Sequence, residues 1–413
     1  MGFQQGLSGL NAASKSLEVT GNNVANSSTV GFKSAQAQFA DVYASSLTGG
    51  GASQVGIGTS VATVAQQFTQ GNVTASNNPL DLAINGGGFF RLSSGGAITY
   101  SRNGQFQLDK NGGIVNSKGA HLTGFAVNAA GVLATGTPTD LVINTADLAP
   151  KTTTEVNLLV NLDSRENVPK TSPFNAGDPT SYNRSTSVSV FDSLGNTHVL
   201  QSYFVRTAPL ASSTWEVYGT ADGTALVTTP LTTSPVGTLA FNADGGLTSA
   251  QPFTATLNTA TTPGANQLSF KFNFTGTTQF GSTFGLNTQN QDGYTSGKLS
   301  GFATDASGII TGRYTNGKSS TLGQVLLANF TNPNGLQNLG NNVWTETAAS
   351  GGPLVGTPNS GNLGVLQSSA VEDSNVDLTA ELVNMITAQR FYQANAQTIK
   401  TQDQVLQTLV NLR

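Results

Sequence analysis

Between Val365 and Arg413 the chain carries neither Gly nor Pro, although 48 of its 413 residues are Gly. A run that long without a helix breaker reads as one long C-terminal helix. Within it Leu378, Leu382, Met385, Gln389, Tyr392, Ala396, Ile399, Asp403, Leu406 and Val410 step by four and three without a slip. That 3.5-residue period is a coiled-coil seam, narrower than the face a helix buries on a globular domain. Ser374 or Asp377 is placed to cap the first turn, and Glu372, Asp373, Asp377 and Glu381 gather at the positive end, with Arg390, Lys400 and Arg413 further on. The N-terminus repeats the spacing in Phe3, Leu7, Leu10, Ser14, Leu17, Gly21 and Val24, with Thr20-Gly21-Asn22-Asn23 as the expected helix stop. The ends therefore read as partners. One seam shared by two unequal helices offsets little of their ordering entropy, so tails that order when neighbouring copies cover them are expected. The polar seam positions Ser14, Gly21, Gln389 and Asp403 either fix register and partner number or face water or a lumen.

Between the ends the texture changes to short runs of Val, Ile, Thr and Phe separated by Gly-bearing turns. Asn85-Gly86, Asn103-Gly104, Asn111-Gly112, Asn316-Gly317, Asn334-Gly335, Asp222-Gly223, Asp244-Gly245 and Asp292-Gly293 are hairpin-type dipeptides. Proline and Thr cluster near 145 to 170 and a polar stretch runs through 285 to 297, which suggests two boundaries. The fold class expected is mainly β with terminal α-helices, nested. Residues 1–33 and 366–413 form a helical domain, 34–145 and 286–365 a discontinuous β domain, and 146–285 a second β domain inserted within it.

Composition removes several classes of chemistry. There is no Cys, so disulfides, thiol nucleophiles and Cys-ligated zinc are impossible, and only His121 and His198 are available for imidazole chemistry. A formal charge of -4, with charged residues at 10%, supplies no basic field for nucleic acid or for an anionic membrane surface. No apolar run reaches the ~20 residues needed to cross a bilayer as a helix. The N-terminus has no basic region ahead of Lys15, so no cleavable secretory signal is expected, and cytoplasmic residence or an uncleaved export route both remain open.

Three motifs look chemical. Gly312 to Ser319, GRYTNGKS, matches the Walker A pattern, yet its Asn316-Gly317 joins two strand-like runs and reads as a hairpin turn. His121 and His198 each stand without a second His nearby. Asp81, Asp109, Asp192 and Asp305 flank turns, where Asp caps backbone amides, although a glycosidase pair could hide among them. No GxSxG elbow is present. No enzyme, cofactor or metal is expected.

The terminal segments SGLNAASKSLEVTGNNVANSSTVGFK (8–33) and SNVDLTAELVNMITAQRFYQANAQTIKTQDQVLQTLVNL (374–412) resemble the terminal signatures of the flagellar axial proteins, the rod and hook family. NPLDLAINGGGFF (78–90) and TYSRNGQFQLDKNGGIVNSKG (99–119) are similar to the β domain shared by hook and distal-rod subunits. VFDSLGNTHVLQSYF (190–204), QDGYTSGKLSGF (291–302) and LANFTNPNGLQNLGNNVWTETAASG (327–351) look like the hook branch, as does the length. The resemblance is weakest from about 205 to 285. It implies a tubular homopolymer that joins rod to filament as a flexible universal joint, with the terminal helices innermost and the inserted domain outermost. Implied partners are further copies of itself, the distal rod protein, the hook-capping protein, the hook-filament junction protein and the flagellar type III export apparatus. The implied location is the extracellular flagellum. The alternatives are a distal-rod subunit and a secreted β-rich carbohydrate-binding or carbohydrate-cleaving protein. Subunit contacts are expected from Phe3, Leu7, Leu10, Leu17 and Val24 with Leu378, Leu382, Met385, Tyr392, Ile399, Leu406 and Val410. Asn22, Asn23, Asn26 and Gly31 are expected to shape the link between helix and β domain, Gly31 through its backbone freedom.

Overall fold

The computed structural model describes residues 2–42, 56–128, 131–207, 213–228, 235–257 and 264–411. Its chain opens with helix α1, Gly2–Ala25, and ends with helix α2, Leu378–Asn411. The two run antiparallel. A Cβ built on Gly6 would lie 3.0 Å from Ile399 Cγ1, one on Gly9 would meet the Asn395 carboxamide, and Asn23 Nδ2 donates to Glu381 Oε1 at 3.2 Å. Small residues at Gly6, Gly9 and Ala13 are what let the helix axes approach so closely.

The shared seam is not the sole support of α1. It also packs on an antiparallel hairpin of β1, Ala35–Val42, and β2, Gly58–Gln66, in which Ala35 lies opposite Gln66 and Val42 opposite Gly58. Gln5 Nε2 donates to Gly56 O at 2.6 Å, and Thr59 N donates to Ser8 Oγ at 3.3 Å. The expectation of tails with one seam omitted this second surface.

Two helix limits differ from those read in the sequence. α1 runs through Thr20-Gly21-Asn22-Asn23 to Ala25, because the buried Asn23 carboxamide is engaged outside the helix. It donates to Ala35 O at 2.8 Å and accepts from Ala35 N at 2.9 Å, leaving no competition with the helical amides. At the other end, freedom from Gly and Pro permits a helix without compelling one. Val365–Ser368 and Ala370–Glu372 are short strands paired with Leu82–Asn85 and Val73–Ala75, and they bury Leu366 and Ala370. Asp377, not Ser374, caps α2: its Oδ1 accepts from Thr379 N at 2.9 Å and Ala380 N at 3.1 Å.

The chain divides into two compact units. The first comprises 1–145, 301–313 and 319–413. Its main sheet runs in the order Ile309–Tyr314, Ser319–Val325, His121–Ala126, Phe89–Ser94, Ala97–Ser101, Val343–Thr345 and Gln337–Gly340. Phe89, Tyr100, Phe330 and Trp344 form one buried cluster of this unit, and Phe68 meets Phe89 and Trp344 edge-on at 5.5 and 5.6 Å between centroids.

The second unit comprises 146–300 and 314–318. One of its five-stranded sheets is ordered Val227–Thr228, Phe253–Leu257, Leu268–Asn273, Glu155–Asn161 and Gly285–Gln291. The other holds Arg184–Phe191, Thr197–Arg206, Thr214–Ala221 and Thr224–Ala225, with Gly237–Ala240 beside Thr214–Ala221. Strand alternation supplies the core. Leu268, Phe270 and Phe272 point in while Ser269 and Lys271 are exposed, and Phe204, Trp215 and Val217 of the second sheet join the same cluster. The unit extends past 285 because Gly285–Gln291, too polar to read as a strand, pairs antiparallel with Glu155–Asn161 at the sheet edge.

The turn dipeptides divide. Asp222-Gly223 makes a two-residue hairpin with φ of 49° and 80°, as a type I′ turn requires. Asn316-Gly317 turns between paired strands, so no helix follows the Walker-like segment and no phosphate loop forms. Asn334-Gly335 instead lies in the 3-10 turn Pro333–Gly335, and Asn85-Gly86 leaves a strand paired with distant Val365–Ser368.

Candidate assembly surface

The long helix offers more apolar surface than one partner can cover. Toward α1 it turns Ala388, Asn395 and Ile399, and Met385 and Ala396 are half-buried as well. Of the residues expected to meet α1, Ile399 lies against Gly6, and Met385 is half-buried. Leu378, Leu382, Tyr392, Leu406 and Val410 remain exposed, Leu382 at 45% and Val410 at 74%. On α1, Leu10, Leu17 and Val24 are half-buried, while Phe3 and Leu7 are exposed. The close contact is thus made by small residues that the apolar spacing does not single out.

Sequence reasoning also missed Val383, Ile386, Phe391 and Val405, all exposed on α2, and Phe39, Val61 and Val64 on the hairpin. The signal lay in adjacent apolar pairs: Leu382-Val383, Met385-Ile386, Phe391-Tyr392 and Val405-Leu406. Neighbours in sequence lie 100° apart on a helix, so such pairs widen the stripe beyond a single seam. Few charges interrupt it.

The link between helices and β structure is tightly fixed. Gly31 is buried with φ of +71°, a Cβ there would lie 2.6 Å from Asn103 N, and its own N–H donates to Glu372 O at 2.7 Å. Asn26 Nδ2 donates to Asn22 O at 2.9 Å and Asn26 Oδ1 accepts from Thr29, which closes the helix end. Asn375 ties both ends of the chain together, accepting from Ser34 N and donating to Gln67 O, each at 2.7 Å.

Beside it lies a buried ionic cluster. The Glu372 carboxylate accepts from Lys33 Nζ at 2.6 Å, Arg102 Nη1 at 3.1 Å and Gly71 N at 2.9 Å. Burial pulls the Lys33 ammonium below its ordinary pKa, with Glu372 opposing. The cluster joins the exit of α1, the β structure and the approach to α2, so it positions the helices and offers no open face to a substrate.

The most chemical-looking group elsewhere is His198, whose Nδ1 lies 2.6 Å from Asp222 Oδ2 and whose Nε2 lies 3.4 Å from Asp192 Oδ2. Both carboxylates also serve turns, Asp192 accepting from Leu194 N and Asn196 N, and Asp222 accepting from Val199 N. Among the described residues no set of three or more His, Asp or Glu could hold a metal.

Four family models match parts of the chain: Flagella basal body rod protein over 3–33, Flagellar hook protein FlgE/F/G D1 domain over 83–157, Flagellar basal body protein FlaE D2 domain over 161–294, and Flagellar basal body rod FlgEFG protein C-terminal over 367–412. The flagellar hook protein FlgE of Salmonella typhimurium is 45% identical and that of Escherichia coli 44%, each over 100% of both chains. The chain belongs to the flagellar hook protein family. The hook protein of Rhizobium meliloti is 34% identical over 100% of this chain and 98% of its own. The solved hook protein FlgE2 of Helicobacter pylori shares the fold at a TM-score of 0.54 and 15% identity, covering 72% of this chain and 100% of that one. A hook-family chain is a structural subunit of the bacterial flagellar hook, and neither the distal-rod nor the carbohydrate reading fits these relatives.

Proposed function

We propose that α1, α2 and the β1–β2 hairpin form the polymerising surface of this hook subunit, stacking copy on copy around a central channel. The observation that carries this is the run of apolar side chains left exposed along α2 on a helix whose root is locked by the Glu372 cluster. Covering them with a neighbouring copy stabilises by about 25 cal/mol for each Å² of apolar surface taken out of water. The two faces of such a contact differ, and a repeated contact of that kind whose rotation does not close a ring generates an open helical tube.

Torque transmission with bending needs two kinds of contact. Apolar seams between inner helices resist twisting. Outer contacts must slide as each row alternates between compression and extension in a rotating curved tube. Surfaces rich in Thr, Ser, Asn and Gly suit this, because their weak hydrogen bonds re-form through water at little net cost. The distal rod protein, hook-capping protein, hook-filament junction protein and type III export apparatus are the further partners proposed, with residence outside the cell after export without a cleaved signal.

Electron microscopy tests the reading. Cells lacking this chain are expected to carry rods without hooks, and the purified chain to form tubes that bend. Straight, stiff tubes would refute the joint, and hooks of normal form in the deleted cell would refute the role altogether.

A further inference from the structure

α2 outruns α1. The helices have 34 and 24 residues, and the register that sets Gly6 against Ile399 and Gly9 against Asn395 brings the start of α1 level with Asp403. Residues Asp403–Asn411 therefore extend beyond α1. Val405, Leu406 and Val410 on this overhang are 50%, 53% and 74% exposed.

A complementary feature lies on the same unit. Where α1, α2 and the hairpin meet there is an uncharged cleft of about 340 Å³. Gly9, Ala12, Ala13 and Ala388 give it small side chains, and the exposed rings of Phe39 and Phe391 border it. Small residues between aromatic walls make a hole that accepts an aliphatic knob.

The overhang cannot fill the cleft of its own chain. Both stand on one uninterrupted helix, and the roughly 16 residues between their centres hold them about 20–25 Å apart at ~1.5 Å per residue. We infer that the overhang Asp403–Asn411 of one copy seats in the Phe39–Phe391 cleft of a second copy displaced by about 20–25 Å along α2. This rests on the reading of the chain as a polymerising subunit and specifies which surfaces meet. Each copy carries one knob and one hole on different faces, so every added copy exposes a fresh knob and the contact propagates.

The absence of cysteine makes the test clean. Thr59→Cys on the cleft rim and Val405→Cys on the overhang are combined, the chain is polymerised, and the tubes are oxidised and run on a non-reducing gel. A ladder of covalent multimers is expected from the double variant, with each single variant running as monomer. Tubes of normal form whose double variant stays monomeric would overturn the pairing and leave polymerisation intact, whereas a parent chain that never polymerises would overturn the reading beneath it. If the double variant does not assemble, helical reconstruction of hooks from cells carrying the parent chain decides. The overhang beside Phe39 and Phe391 of a copy at the stated offset supports the pairing. Contact with any other surface, or with a different protein, sinks it.

Discussion

Lys33 Nζ donates to Glu372 Oε1 across 339 residues of sequence, with both side chains fully buried. Arg102 shares the same carboxylate, so one anion is paired with two cationic side chains and joins three separate stretches of the first unit. Removing it strands both. Breaking such a pair from one side costs about 3–5 kcal/mol, because the remaining charge stays desolvated. Glu372→Gln is therefore expected to lower the stability of the first unit by that amount in urea titration. Adding Lys33→Met should restore part of the loss, giving less than the sum of the single effects. A Glu372→Gln chain within 1 kcal/mol of the parent would show the cluster to be energetically idle.

Leu382 and Ile399 separate assembly from folding. Leu382 is exposed on α2, whereas Ile399 packs against Gly6 of α1. Leu382→Asp is expected to leave the helical circular dichroism of the monomer unchanged and to abolish polymerisation. Ile399→Asp should abolish it too, but also reduce helicity by splaying α1 from α2, with the β units still folded. Normal hooks from Leu382→Asp would place the subunit contact elsewhere, and normal hooks from Ile399→Asp would show that assembly does not need the α1–α2 contact.

The sequence showed the helices through a period that few alternatives imitate, β structure through its turn dipeptides, and the nesting through matching helices at opposite ends of the chain. It did not show which face of α2 meets α1. Gly6, Gly9 and Ala13 decide that by close approach, and a hydrophobic pattern is blind to residues that act by being small. Glu372 stood out only as an acidic residue near a helix start, because partners at Lys33 and Arg102 are distant in sequence. Gly285–Gln291 escaped for the opposite reason, since an edge strand with one solvated face can be built from polar residues.

Gly31 was legible, and its role can be measured. Its φ of +71° disfavours any side chain, and an added methyl group would press on the backbone of Arg102 and Asn103, which cannot rotate away. Backbone conformations of this kind cost a non-Gly residue about 1–3 kcal/mol. Gly31→Ala is expected to destabilise the first unit by at least that much. Gly119→Ala, at φ of +80° with open space around it, should fall near the lower bound. Equal losses would mean that the close approach adds nothing.

The second unit should fail in acid for a reason that can be assigned to single carboxylates. Burial pushes the Asp292 carboxyl up. Donation from Thr154 Oγ1 at 2.6 Å, Thr154 N at 2.8 Å, Glu155 N at 3.0 Å and the Lys151 ammonium at 3.0 Å outweighs that and holds it well below the usual carboxylate range. Asp192 is raised by burial and lowered by more through Asn196 and Leu194, with the same net direction. A folded pKa below the unfolded value of about 3.9 means that the unfolded chain takes up protons first as pH falls. The stabilisation is complete above that value and is lost as pH drops through the folded pKa. In a Trp344→Phe chain, where Trp215 alone reports on the second unit, the unfolding temperature should be flat from about pH 5 to 8 and fall steeply below about pH 4. Asp292→Asn should lower it at neutral pH and make the acid fall shallower. An unchanged acid slope in that variant would assign the loss to other groups.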